Sequence, residues 1–182
     1  MIAIKFSFYI GGHMKILECS SKGDKRFSAF YAKITAWKRF DSIENHYQTC
    51  KRFDDFVPIG WQDGKGREPT HIELNGKRYD KRFLSQWYKM LWVNYLDNNP
   101  ELVEYARGFD DFNDIFKGKS QNCQADVIRQ YIKQGRQSLV DDYQELMDLF
   151  KTKTCRCGGP IFESGPISRC LRCCKSTTKE IK

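Results

Sequence analysis

No apolar run in the 182 residues reaches the roughly 18–20 that a membrane-spanning helix requires, so no membrane association is expected. The first thirteen residues, MIAIKFSFYIGGH, are apolar, yet no basic region precedes them and no small-residue cleavage site follows. A signal peptide is therefore not expected. Either Met14 is the start, or residues 1–13 form an edge strand; in both cases they stand apart from the functional residues. No internal repeat and no P-loop motif appears. Cysteine is sparse through the first 150 residues, where Cys19, Cys50 and Cys123 are scattered, and five more crowd between 155 and 174. A secreted disulfide protein spreads its pairs over the whole fold, so this distribution points instead to a reducing, cytoplasmic setting with a metal site at one end.

What the chain does have is enough to fold. Hydrophobic residues are 40%, charged residues 30% and aromatics 14%, with a mean hydropathy of -0.66. These values fit one catalytic-sized domain with a small appendage, and the aromatic content argues against disorder. Lys and Arg number 31 against 23 Asp and Glu, a net +8 and an isoelectric point near 9.0. Such an excess suits a polyanion such as nucleic acid through counterion release, and equally serves solubility.

Along the chain, 14–19 reads as a short strand and 27–40 as strands rich in aromatic and β-branched residues. Asp41 followed three residues later by Glu44 is a capping-box arrangement opening a helix that runs to about Phe53. Residues 54–70, with three glycines and two prolines, form a long loop. Asn75-Gly76 marks a hairpin. Phe83, Trp87, Leu91 and Tyr95 recur every four residues and define an amphipathic helix over 80–96. Asn99-Pro100 restarts a helix that ends near Gly108, and 109–121 is a loop. A last helix starts near Asn122 and is interrupted at Gly135. The expected class is α+β, mostly helical with a small sheet, the body spanning 14–151 and a tail 152–182.

The tail reads CRCGGPIFESGPISRCLRCC. Cys155, Cys157, Cys170 and Cys173 form two knuckles joined by a short hairpin, the donor set of a structural zinc site. A stretch so short buries too little to fold alone, so zinc would supply its folding free energy. Cys174 is a competing thiolate, and disulfide or redox pairing is the alternative reading. Arg156, Arg169, Arg172 and Lys175 make this zinc ribbon positive, suited either to nucleic-acid contact or to a mere C-terminal cap.

In the helix read over 41–53, Ile43, Tyr47 and Cys50 share one stripe, while Glu44, Gln48 and Lys51 share the next. On its own this is an ordinary cap and solvated face. The segments Arg26-Phe27-Ser28-Ala29-Phe30-Tyr31 and Asp41-Ser42-Ile43-Glu44-Asn45-His46-Tyr47-Gln48-Thr49-Cys50-Lys51-Arg52-Phe53, however, resemble the paired "F-S-N-F-Y" and "S-x-E-H-x-Y-Q-x-x-K-F" elements of the NADAR (YbiA-like) N-glycosidase family. Leu96 to Leu102, Asp114 to Gly118 and Asn122 to Arg129 are similar, more loosely, to its later blocks, so the likeness covers about 26–132. Ala29 stands where the family has Asn, Phe116 or a neighbour where it has Trp, and Gln124-Ala125 where it has Leu-Gly. Residues 54–79 do not match, and the zinc ribbon is an addition to the family domain.

The resemblance implies an NADAR-like domain that cleaves a ribose–base N-glycosidic bond. The family acts on phosphorylated riboflavin intermediates or removes ADP-ribose from modified guanine in nucleic acid. By this likeness Glu44 would be the carboxylate that stabilises positive charge at C1′, or the general base. Lys51 would be a nucleophile able to form a Schiff base with an opened sugar. Asp114 would hold a ribose hydroxyl or act as a second acid/base group. Asn122 would orient it, Gln48 and Arg129 would line the substrate site, and Phe27, Phe30 and Tyr47 would stack on the base. Lys117-Gly118-Lys119 and the loop 20–26 are candidate phosphate contacts, or plain solvated loops. The competing expectation is a binding module without chemistry, whose zinc ribbon docks on nucleic acid.

Overall fold

The computed structural model describes residues 14–37, 39–114 and 123–150, together with the strands 161–164, 167–170 and 176–178. The architecture is mixed α and β. Strand β1 (Ile16–Glu18) pairs in parallel with β7 (Asp111–Asn113), Leu17 opposite Phe112. β2 (Lys33–Ala36) and β3 (Arg39–Ser42) form a hairpin, and β4 (Lys51–Arg52), β5 (His71–Leu74) and β6 (Lys77–Asp80) form a three-stranded antiparallel sheet. The helices are α1 (Ile43–Thr49), α2 (Trp61–Gly64), α3 (Leu84–Asp97), α4 (Pro100–Arg107), α5 (Gln124–Gln134), α6 (Gln137–Val140) and α7 (Gln144–Asp148). In the tail, β8 (Ile161–Ser164), β9 (Ile167–Cys170) and β10 (Ser176–Thr178) make a second three-stranded antiparallel sheet in the order β8-β9-β10. No helix among the described residues is long and apolar enough to cross a membrane.

α3 is the axis of the body. The four-residue stripe read from sequence is only part of its buried surface: Tyr88, Met90, Trp92, Val93 and Leu96 are buried as well. A helix apolar nearly all round belongs in the middle of a domain, and α1, α4, α5, α6, α7 and β2 all pack against it. Trp87 lies between Trp37 and Phe150, with ring centroids 5.7 Å and 5.1 Å away and planes within 10° of parallel. This three-ring column fixes Trp37, whose φ of 59° is unusual for a bulky residue.

Several sequence expectations shift. The segment 27–40 is not continuous strand, because a 3-10 turn (Lys25–Phe27), capped by the Asp24 carboxylate, precedes β2. The helix read over 41–53 is shorter. Ser42, not Asp41, is its N-cap, accepting from the Asn45 amide at 3.2 Å, and the helix closes at Thr49. Lys51 and Arg52 thus leave the helix and join the sheet as β4. The loops 54–70 and 109–121 contain α2 and β7, short elements that exist through tertiary pairing rather than local pattern. The hairpin at Asn75-Gly76, the helix beginning at Pro100 and the break at Gly135 (φ 88°) stand as read.

Candidate active site

The F-S-A-F-Y segment and α1 are joined by backbone. Ile43 N–H donates to Ala32 O and Glu44 N–H to Ala29 O, both at 2.9 Å, so the segment meets the first turn of the helix. Gln124, at the start of α5, ties this corner from the other side. Its Oε1 accepts from Ala29 N–H at 3.0 Å and its Nε2 donates to Cys19 O. One buried amide therefore links β1, the F-S-A-F-Y turn and α5, although its position departs from the family's pattern.

Glu44 accepts from Gln48 Nε2 at 2.9 Å. Gln48 is buried, and its Oε1 has no partner among the described residues. Lys51 is buried too, and its Nζ donates to Gly64 O at 2.8 Å and Arg67 O at 3.4 Å while lying 5.2 Å from the Tyr47 ring centroid. Burial lowers the Lys51 pKa below the usual ammonium value, against the opposing pull of Cys50 and Glu44. Gly64 is required here: a Cβ would stand 2.7 Å from Gln48 O, so only glycine lets α2 approach the end of α1.

Asp114 is almost fully buried and accepts from the Cys123 thiol at 2.7 Å. Burial first, then this hydrogen bond, push the Cys123 pKa up to about 12, so the thiol keeps its proton. Tyr88, which sequence reasoning missed, packs beside Tyr47. Its ring meets Tyr47 edge-on at 5.0 Å, and its pKa is driven far up by burial, with Glu44, Tyr47 and Cys123 adding to the effect. Gln48 joins the Glu44 carboxylate to Gly64, whose carbonyl holds Lys51, while Asp114 is held by Cys123 at the start of α5.

The remaining residues divide. Phe30 is partly exposed and meets Trp61 edge-on at 5.0 Å, and Lys65 Nζ lies 5.8 Å and 5.1 Å from the two ring centroids. Trp61 is the second residue missed by sequence reasoning, for it sits in a stretch without periodicity. Phe27 is fully buried in the core and stacks on Tyr105 at 6.2 Å. Arg129 is spent on structure, bonding Asp111, Asp126 and Phe112 O and so clamping α5 to β7. Asn122 and Lys117-Gly118-Lys119 lie outside the described residues, as do Cys155, Cys157 and Cys173. Cys170 ends β9, opposite Ile161. Among the described residues no group of three or more His, Cys, Asp or Glu gathers as a metal site. No family model and no curated protein matches this chain.

Proposed function

We propose that the chain is an N-glycosidase of NADAR-like architecture, hydrolysing a ribose–base bond in an ADP-ribosylated or otherwise modified nucleotide or nucleic acid. The observation that carries this reading is a buried amine, Lys51, held by Gly64 O, with Gln48 against the same glycine, bonded to Glu44 and keeping an amide oxygen unpartnered among the described residues. A buried polar atom without a partner is costly unless a ligand completes it. A solvated helix face would neither bury the amine nor depress its pKa. In this site Glu44 stabilises the positive charge that grows on C1′, an effect strengthened where water is excluded. Lys51 attacks the opened sugar when neutral, Asp114 holds a ribose hydroxyl, and Phe30 with Trp61 supplies a ring surface for the base.

Product analysis tests this. Purified protein is offered ADP-ribosylated DNA, free ADP-ribose conjugates and riboflavin precursors, and released base or sugar is read by mass spectrometry. Release from one class is expected, falling by about 100-fold or more in Glu44→Gln. No release from any of the three overturns the reading.

For the tail, the proposal is a structural zinc held by Cys155, Cys157, Cys170 and Cys173, in a basic ribbon suited to contact with nucleic acid. The β8–β9 hairpin supports it, since the register of Ile161 opposite Cys170 brings the chain entering β8 and the chain leaving β9 to the same end. Four thiolates close a tetrahedron at about 2.3 Å and leave no open position, so this metal would fold the ribbon rather than take part in turnover. Elemental analysis of the purified protein is expected to give about one zinc per chain, lost in Cys170→Ser.

A further inference from the structure

A cleft of about 350 Å³ lies on the other side of α1, lined by His46 and Thr49 rather than by Glu44, Gln48 and Lys51. Its walls come from the turn after β2 (Trp37), β4 (Arg52) and the β5–β6 hairpin (Glu73, Asn75). That volume is within the range of small-molecule sites. Trp37 supplies a flat wall braced from behind by Trp87 and Phe150.

Arg52 is fixed on three sides. Its Nη1 donates to Thr49 O at 2.9 Å and Lys51 O at 2.8 Å, and its Nε donates to Glu73 Oε2 at 3.2 Å. Among the described residues, Arg52 Nη2 and Glu73 Oε1 have no partner, and the Glu73 side chain is 41% exposed. A donor thus stands beside an acceptor, held rigidly at the cleft wall. The local charge is balanced, because Glu73 answers Arg52 and Asp41 answers Arg39 at 2.6 Å. Burial lowers the His46 pKa, and its Nε2 already contacts Ile34 O at 3.4 Å, so it adds no cation at neutral pH. Nothing here favours an inorganic anion. A flat ring whose edge carries an oxygen acceptor next to an N–H fits both the Trp37 face and the Arg52–Glu73 pair.

We propose that this cleft is a ligand site distinct from the Glu44–Gln48–Lys51 group, which takes a planar heterocycle with an amide-like edge, as in a nucleobase. Binding to the full chain is measured calorimetrically and by tryptophan fluorescence, with inosine, 1-methylinosine and inorganic phosphate as probes. Inosine is expected to bind with a Kd below about 1 mM. 1-Methylinosine, whose methyl replaces the N–H facing Glu73, is expected to bind at least about tenfold more weakly, and phosphate is expected neither to bind nor to compete. Glu73→Ala should lose inosine binding while melting like the parent protein, and Glu44→Gln should keep it. Absence of inosine binding overturns the proposal, as does equal binding of the methylated analogue. Loss of binding in Glu44→Gln with retention in Glu73→Ala would place the ligand beside Glu44 instead and also overturn it. Because the readout is binding, it stands or falls separately from turnover.

Discussion

Lys51→Met is expected to remove turnover, by about 1,000-fold or more, while leaving the protein folded and at least as stable as the parent at neutral pH. The two halves of this outcome have one cause. Lys51 is buried and lies among backbone carbonyls, with Glu44 acting on it electrostatically. Its charge is costly to keep out of water, and a methionine of similar length fills the same space without that cost. The pH dependence follows in sign. Since the folded-state pKa lies below 10.5, the unfolded chain binds the proton more tightly, and folding is penalised at pH values below both pKa values. That penalty is relieved as pH rises through the folded pKa toward 10.5. The parent should therefore gain stability relative to Lys51→Met over that interval, read from chemical denaturation at several pH values. Activity is read by product release, and borohydride reduction during turnover should add the sugar's mass to the parent but not to the variant. Retained turnover in Lys51→Met would remove the amine from the reaction.

Trp87→Ala carries the largest expected loss of stability, about 3–5 kcal/mol, measured by urea denaturation. The side chain is fully buried and central to the ring column, stacked on Trp37 on one side and Phe150 on the other. Its loss opens a void that α3 cannot collapse into, because α3 is packed by helices and β2 around its circumference. The same substitution at Trp61, which sits on a short helix beside the partly exposed Phe30, should cost far less and act on substrate binding instead. A Trp87→Ala protein that unfolds at the same urea concentration as the parent would mean that the column does not support the body.

The sequence was informative where a signal is local. Asn75-Gly76 makes its hairpin because Asn75 (φ 50°) and Gly76 (φ 73°) both adopt positive φ, and Gly135 breaks its helix for a similar reason. The acid, amide and amine were legible as a spacing of four and three, and the fold keeps Glu44 and Gln48 in contact even though Lys51 has passed into a strand. Features that depend on distant pairing were not legible. The β1–β7 ladder joins segments about 95 residues apart, and without it β7 reads as loop. The roles of Tyr88 and Trp61 were hidden for opposite reasons. One lies in an unbroken apolar helix where every position looks like core, and the other in a stretch with no period at all. Arg129 and Phe27, which match family blocks, make their described contacts with the scaffold, to Asp111 and Phe112 O and to the Tyr105 ring.

The two carbonyls that hold the Lys51 ammonium belong to Gly64 and Arg67, in the stretch that also carries Trp61. If Lys51 acts as proposed, the neutral amine must leave these carbonyls to reach a sugar carbon, and so lets go of that stretch as it attacks. Bond making at the sugar and freedom of the segment that carries Trp61 would then be mechanically tied.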